Sequence, residues 1–210
     1  MALFARKGYG QVEPNQLSAQ KTGQIYASLP LASDVDILQN GEFMYYDYKS
    51  GTVTADGKGE PMLVFNEVKL YEPFWQTSYK DFAMIRVGDN YVTSRLATAG
   101  YGDGAETKGV APNPGHSDWQ AGYRMDGIAP RLFKTNVGDI FTTNMVETGD
   151  EITYSQGDTL KLKKVPKAAD KTGNTLVLSK TGTIDTLEFV VAKVYTMPDG
   201  QPGLKLQRIK

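Results

Sequence analysis

From about residue 139 onward the chain breaks into short runs rich in Val, Leu, Ile, Phe and Thr, parted by turns built on Gly, Asp and Pro. β-Branched and aromatic side chains fit a pleated surface, and runs this short do not sustain helices. The spacing predicts strands over 139–146, 151–154, 159–165, 174–179, 186–196 and 203–209, with Pro198-Asp199-Gly200 as the hairpin turn between the last two. Leu187, Phe189 and Val191 alternate with Glu188 and Val190. Leu204, Leu206 and Ile209 read as inward-facing and Lys205, Gln207 and Lys210 as outward-facing, with a slip near Arg208. Short strands at this spacing predict a small barrel or sandwich.

The pattern extends upstream. Glu42 to Tyr48 is aromatic and β-favouring, Lys49-Ser50-Gly51 reads as a turn, and Thr52-Val53-Thr54 as a return strand. Asp56-Gly57-Lys58-Gly59 is a second turn, and 61–66 and 68–71 are strand material stopped by Pro73. Residues 74–86 fit a strand or a short helix equally. Val87-Gly88-Asp89 and Val137-Gly138-Asp139 each lead into a β-favouring run, and Gln156-Gly157-Asp158 repeats the idea. This recurrence reads as reuse of a Gly-Asp turn rather than as a duplicated unit. Residues 100–115 hold five glycines and two prolines, a loop long enough to be functional, and carry Tyr101. His116, Trp119 and Tyr123 follow it.

Residues 1–32 have no sustained period, although 15–27 has room for one or two helical turns around Gly23. Leu3, Phe4, Tyr9, Val12, Ile25 and Tyr26 are spaced along an otherwise polar stretch, as anchors of an arm that orders on a neighbour's surface would be. The expected organisation is mainly β: an extended N-terminal arm (1–32), a central β region with the Gly/Pro-rich loop (33–118) and a C-terminal barrel-like or sandwich region (119–210). Deleting residues 1–28 is then expected to remove partner binding and leave the body folded.

Familiar site chemistries find little support. The chain has 210 residues, no cysteine and one histidine, His116. Disulfides, thiolate nucleophiles and multi-histidine zinc sites are thereby excluded. Ser117 and Asp118 beside His116 do not converge on it as a triad must. Gly57-Lys58-Gly59 lacks the spacing of a phosphate loop, and Gly100-Tyr101-Gly102-Asp103-Gly104 does not continue as a dinucleotide fingerprint. A net charge of −1 argues against general nucleic-acid binding. No run of 18 apolar residues is present, and the charges of Met1 to Lys7 follow its apolar residues, the reverse of a secretory signal. The expectation is a protein without enzymatic activity, cofactor or metal. Tyr45, Tyr46, Tyr48, Trp75, Trp119 and Tyr123 read first as core and cross-strand aromatics, and second as a sugar- or partner-binding surface. Lys161, Lys163, Lys164 and Lys167 read as a solvated sheet edge, or as a contact to a negatively charged neighbour.

The stretches Gly8-Tyr9-Gly10-Gln11-Val12-Glu13-Pro14-Asn15 and Gly23-Gln24-Ile25-Tyr26-Ala27 resemble the start of small structural proteins of tailed bacteriophages and prophages. Asn40-Gly41-Glu42-Phe43-Met44-Tyr45-Tyr46-Asp47 and Val137-Gly138-Asp139-Ile140-Phe141-Thr142-Thr143-Asn144 fit the same type. The resemblance implies a capsid decoration, or cement, protein in the virion, assembled in the host cytoplasm. Its partners would be the major capsid protein and neighbouring copies of itself, with no direct contact to nucleic acid or membrane. The contact residues would be Leu3, Phe4, Tyr9, Val12, Ile25, Tyr26, Tyr101 and Trp119. A tail, baseplate or head–tail connector protein is the first alternative, a carbohydrate-binding β module the second, and a carboxylate hydrolase the third.

Overall fold

The structure, a computed structural model, describes residues 10–35, 37–66, 84–86, 90–92, 129–167, 173–198 and 200–210. The chain is mainly β. Its strands are β1 (Val12–Gln16), β2 (Ile25–Tyr26), β3 (Ile37–Leu38), β4 (Phe43–Asp47), β5 (Thr52–Thr54), β6 (Met62–Val64), β7 (Met84–Arg86) and β8 (Asn90–Val92) in the first half. In the second half they are β9 (Leu132–Phe133), β10 (Ile140–Thr143), β11 (Thr159–Pro166), β12 (Asn174–Ser179), β13 (Ile184–Thr196) and β14 (Pro202–Arg208). Among the described residues one short helix, α1 (Ser18–Thr22), lies between β1 and β2 and ends on Gly23, whose φ of 69° is left-handed and suits glycine.

Eleven strands form one antiparallel sheet in the order β1-β10-β14-β13-β11-β12-β4-β6-β9-β2, with β5 branching from β4. The sheet takes strands from all three stretches marked out by the sequence. It curls into a half-barrel because its inward side chains share one core: Val12, Phe43, Phe133, Phe141, Leu162, Leu178, Phe189 and Leu206 belong to a single buried cluster. Phe43, Phe141 and Phe189 come from strands that are not neighbours, yet their ring centroids lie 5.6–6.2 Å apart. Alternation over residues 159–163 of β11 supplies Leu160 and Leu162 to this core and leaves Lys161 and Lys163 on the other face. Register breaks put extra residues on β13 between Val191 and Lys193 and between Ile184 and Glu188, the second opposite Lys161–Leu162 of β11, and such bulges bend a strand. A second cluster covers the other face of β4, β6 and β9: Met44, Tyr46, Val64 and Leu132 pack under Leu31, Val35, Leu38 and Val53. A small sheet, β3-β7-β8, lies beside it in the chain order.

The Gly-Asp turns into β10 and β11 have the same hydrogen-bond pattern. Asn136 N–H donates to the Asp139 carboxylate (2.9 Å), and Asp139 N–H returns to the Asn136 carbonyl (3.0 Å). Ser155 and Asp158 repeat this at 2.6 and 3.1 Å. In each turn the glycine N–H and the aspartate carbonyl bracket one residue of the next strand: Arg208 for Gly138–Asp139 and Val191 for Gly157–Asp158. The positive φ of Gly138 (95°) and Gly157 (89°) is what the third position of a type II turn needs. The Val87-Gly88-Asp89 copy lies outside the described residues.

Three local expectations are corrected. Residues 151–154 form no strand; Tyr154 is buried in a loop and its hydroxyl donates to the Glu147 carbonyl. Ile209 is exposed, and Arg208 takes the inward place, because period two carries Leu204 and Leu206 on to 208. Arg208 is accommodated by Glu60 (2.6 Å) and by the carbonyls of Thr135 and Lys210. The basic run is no sheet edge, since β11 sits between β13 and β12.

Candidate interaction surface

Both ends of the curled sheet come from one short segment. β1 lies on β10 (Val12 opposite Thr143, Gln16 opposite Ile140), and β2 lies on β9 (Ile25 opposite Phe133). Between them α1 crosses the gap that separates the two ends of the sheet. Leu17 and Ala19 enter the core there, and polar side chains tie the seam: Ser18 bonds Asp139 through N–H (3.1 Å) and hydroxyl (2.9 Å). Asn136 donates to Ser18 (2.7 Å) and Gln24 (3.1 Å), while Lys134 N–H reaches the Gln24 carbonyl (3.1 Å). Residues 10–26 thus act as a clasp on the chain's own body.

This corrects the reading of Val12 as an anchor for a neighbour: it is buried in the chain's own core. Ile25 and Tyr26 are half-buried, packed against the first and second clusters respectively. Leu3, Phe4, Tyr9, Tyr101 and Trp119 lie outside the described residues, as do Trp75, His116, Tyr123 and the loop 100–115.

Tyr26 leads to the aromatic side chain that sequence reasoning grouped with the core. Tyr26, Tyr46 and Tyr48 form a ladder with ring centroids 5.4 and 5.2 Å apart. Tyr45 and Tyr46 are buried, whereas Tyr48 is 75 % exposed. Alternation explains the split: 45 faces the first cluster, 46 the second, and 48 lies past the end of β4 in the turn. That turn is stiff. The Asp47 carboxylate accepts from Ser50 Oγ (2.8 Å) and Lys49 N–H (3.0 Å), which hold its pKa below the ordinary carboxylate range. Val137, Val194 and Ile209 are the other large exposed apolar residues described.

The four lysines are engaged within the chain. Lys161 pairs with Asp185 (2.6 Å), Lys163 with Glu147, Lys164 with Asp56, and Lys167 with Glu42 (2.9 Å). Their charges are matched by the chain's own carboxylates, so the run is not a strip of unmatched positive charge for an anionic neighbour.

Around Glu147, burial opposes ionisation, but hydrogen bonds from Lys163, Ser179 and Thr181 outweigh it and hold the pKa below its usual value. A depressed carboxylate stabilises the fold fully above its unfolded pKa, about 4.3, and this contribution disappears as pH falls through the lower folded value. Glu147→Gln is therefore expected to lower stability at pH 7 and flatten its acid dependence below about pH 4.3. Urea titrations at stepped pH check this; parallel curves for variant and parent would refute it.

No family model, curated protein or solved structure matches the chain. Among the described residues no group of three or more His, Cys, Asp or Glu side chains is placed to hold a metal ion.

Proposed function

We propose that this protein is a non-enzymatic structural component of a tailed-phage virion that binds and stabilises the capsid shell. The observation that carries the reading is that the stretches bearing the phage resemblance converge. Gly10 N–H donates to Gln39 Oε1 (2.6 Å), Gln11 N–H to Asn144 Oδ1 (2.8 Å), and Val12 pairs with Thr143. A Cβ on Gly10 would run into the Asn40 carbonyl oxygen, and one on Gly41 into Thr143 Oγ1. Gln24 joins the same seam through Asn136 and Lys134. The short motifs on which the resemblance rests thus pack together as one part of the fold. A rigid β body with an exposed aromatic on a stiff turn suits a cement protein, whose modest contacts gain strength from many copies on a symmetric surface.

The test is co-sedimentation of the purified protein with shells assembled from the major capsid protein of the same genome. Saturable binding at a stoichiometry fixed by shell symmetry is expected. A closed ring that ignores shells would instead favour a tail, baseplate or connector role. Tyr48→Ala is expected to weaken shell binding about tenfold or more, as loss of an aromatic hot spot does, while costing no more than about 1.5 kcal/mol of stability through its edge-on contact with Tyr46. Undiminished binding by this variant would remove Tyr48 from the contact.

A further inference from the structure

We propose that residues 10–26 are an exchangeable element, and that β1, α1 and β2 of one copy can occupy the same slot on a second copy. The inference uses the proposed assembly role only to say where exchange would take place. The geometry comes from the seam. The segment makes its contacts with residues far along the chain: β1 with β10, Ser18 with Asp139, Gln24 with Lys134 and Asn136, β2 with β9. Every one of these partners is presented identically by another copy, so the interface is complementary by construction.

What joins the segment to the body is short and mostly exposed, with Leu29 half-buried against the second cluster. Ala27, Ser28 and Pro30 are exposed, and beyond them Leu31 is fixed beside Val53, with Ala32 N–H on the Val53 carbonyl (2.9 Å). Within this link Ser28 bonds the Tyr46 hydroxyl, and the Pro30 carbonyl accepts from Val53 N–H (2.8 Å). Rotation about residues 27–30 would redirect the whole segment without breaking a strand of the body. Four extended residues reach roughly 14 Å, so the receiving copy must sit directly alongside. A closed chain competes with an effective concentration of about millimolar for a short flexible linker, which copies held side by side can match.

The chain's lack of cysteine makes the exchange readable by disulfide trapping. Gln16 and Ile140 are paired residues on β1 and β10; Gln16 is exposed and Ile140 half-buried. Full-length Gln16→Cys and isotopically heavy Ile140→Cys chains would be unfolded together, refolded over a concentration series and oxidised. The expected product is a light–heavy dimer linked between 16 and 140 whose share of the linked material rises toward millimolar chain and exceeds the roughly one half that random pairing of two single-cysteine chains gives. The double variant Gln16→Cys/Ile140→Cys, refolded dilute, is the control and should close within one chain. Closure in the control together with a 16–140 share no greater than this random half at every concentration overturns the proposal. If the control does not close, Val12→Cys with Thr143→Cys takes its place: a 12–143 share between chains above the random half supports exchange, and closure within one chain without that excess overturns it. No shell is present, so this result stands apart from the shell-binding result.

Discussion

Deletion of residues 1–28 is expected to unfold the body, not merely to trim an appendage from it. The cut removes Val12, Leu17 and Ala19 from the core and strips both ends of the sheet, leaving β10 and β9 unpaired on those sides. Burial of a Val or Leu side chain is worth about 1.5–3 kcal/mol, so Val12 and Leu17 alone reach the lower end of a domain's net stability of about 5–15 kcal/mol, before the lost strand pairing is added. The bared edges would also invite aggregation. Deletion of residues 1–9 alone is expected to leave the melting transition in place while weakening shell binding, since Leu3, Phe4 and Tyr9 are the proposed outward anchors. Thermal melts of both truncations check this. A chain lacking 1–28 that melts within a few degrees of the parent would show that the clasp adds little.

The second large effect concerns Lys167 and Glu42. Their side chains are 4 % and 2 % exposed, and the ammonium sits 2.9 Å from both carboxylate oxygens. Gln39 N–H offers the carboxylate only a long contact of 3.3 Å. Lys167→Met leaves that carboxylate buried with its main partner gone, at an expected cost of about 3–5 kcal/mol. Replacing both, as Lys167→Met with Glu42→Leu, is expected to recover most of the loss, because the penalty lies in the stranded charge. Urea unfolding of the two variants separates the cases. Equal destabilisation of single and double variants would locate the cost in packing instead.

The strands most legible in the sequence were those whose signal is local. β11, β12, β13 and β14 fall within two residues of their expected bounds, because alternation and flanking Gly, Pro and Asp are read from neighbours alone. Gly51, Gly59 and Gly200 take the positive φ that their turns require. Long-range choices were not legible. Nothing near Val12 announces Thr143 as its partner, so a strand of the sheet read as part of an arm. At Arg208 the expected alternation slipped, because the Glu60 and Thr135 that accept its charge lie 148 and 73 residues away. The lysines of β11 looked free for the same reason: their carboxylates sit on other strands and turns. Of the candidate contact residues, Tyr26 leads to an exposed aromatic, whereas Val12 is taken up by the chain's own core.

The clasp also orders events in time. Val12–Gln16 leaves the ribosome well before Ile140–Thr143, and at 5–20 residues per second the interval is roughly ten seconds. Over that interval Val12 and Leu17 have no β10 or β14 to rest on. The sheet's outermost strand is thus translated early and seated late, and a pairing at such sequence separation slows folding. A segment that waits this long for its own seat is open to pairing errors until β10 is made.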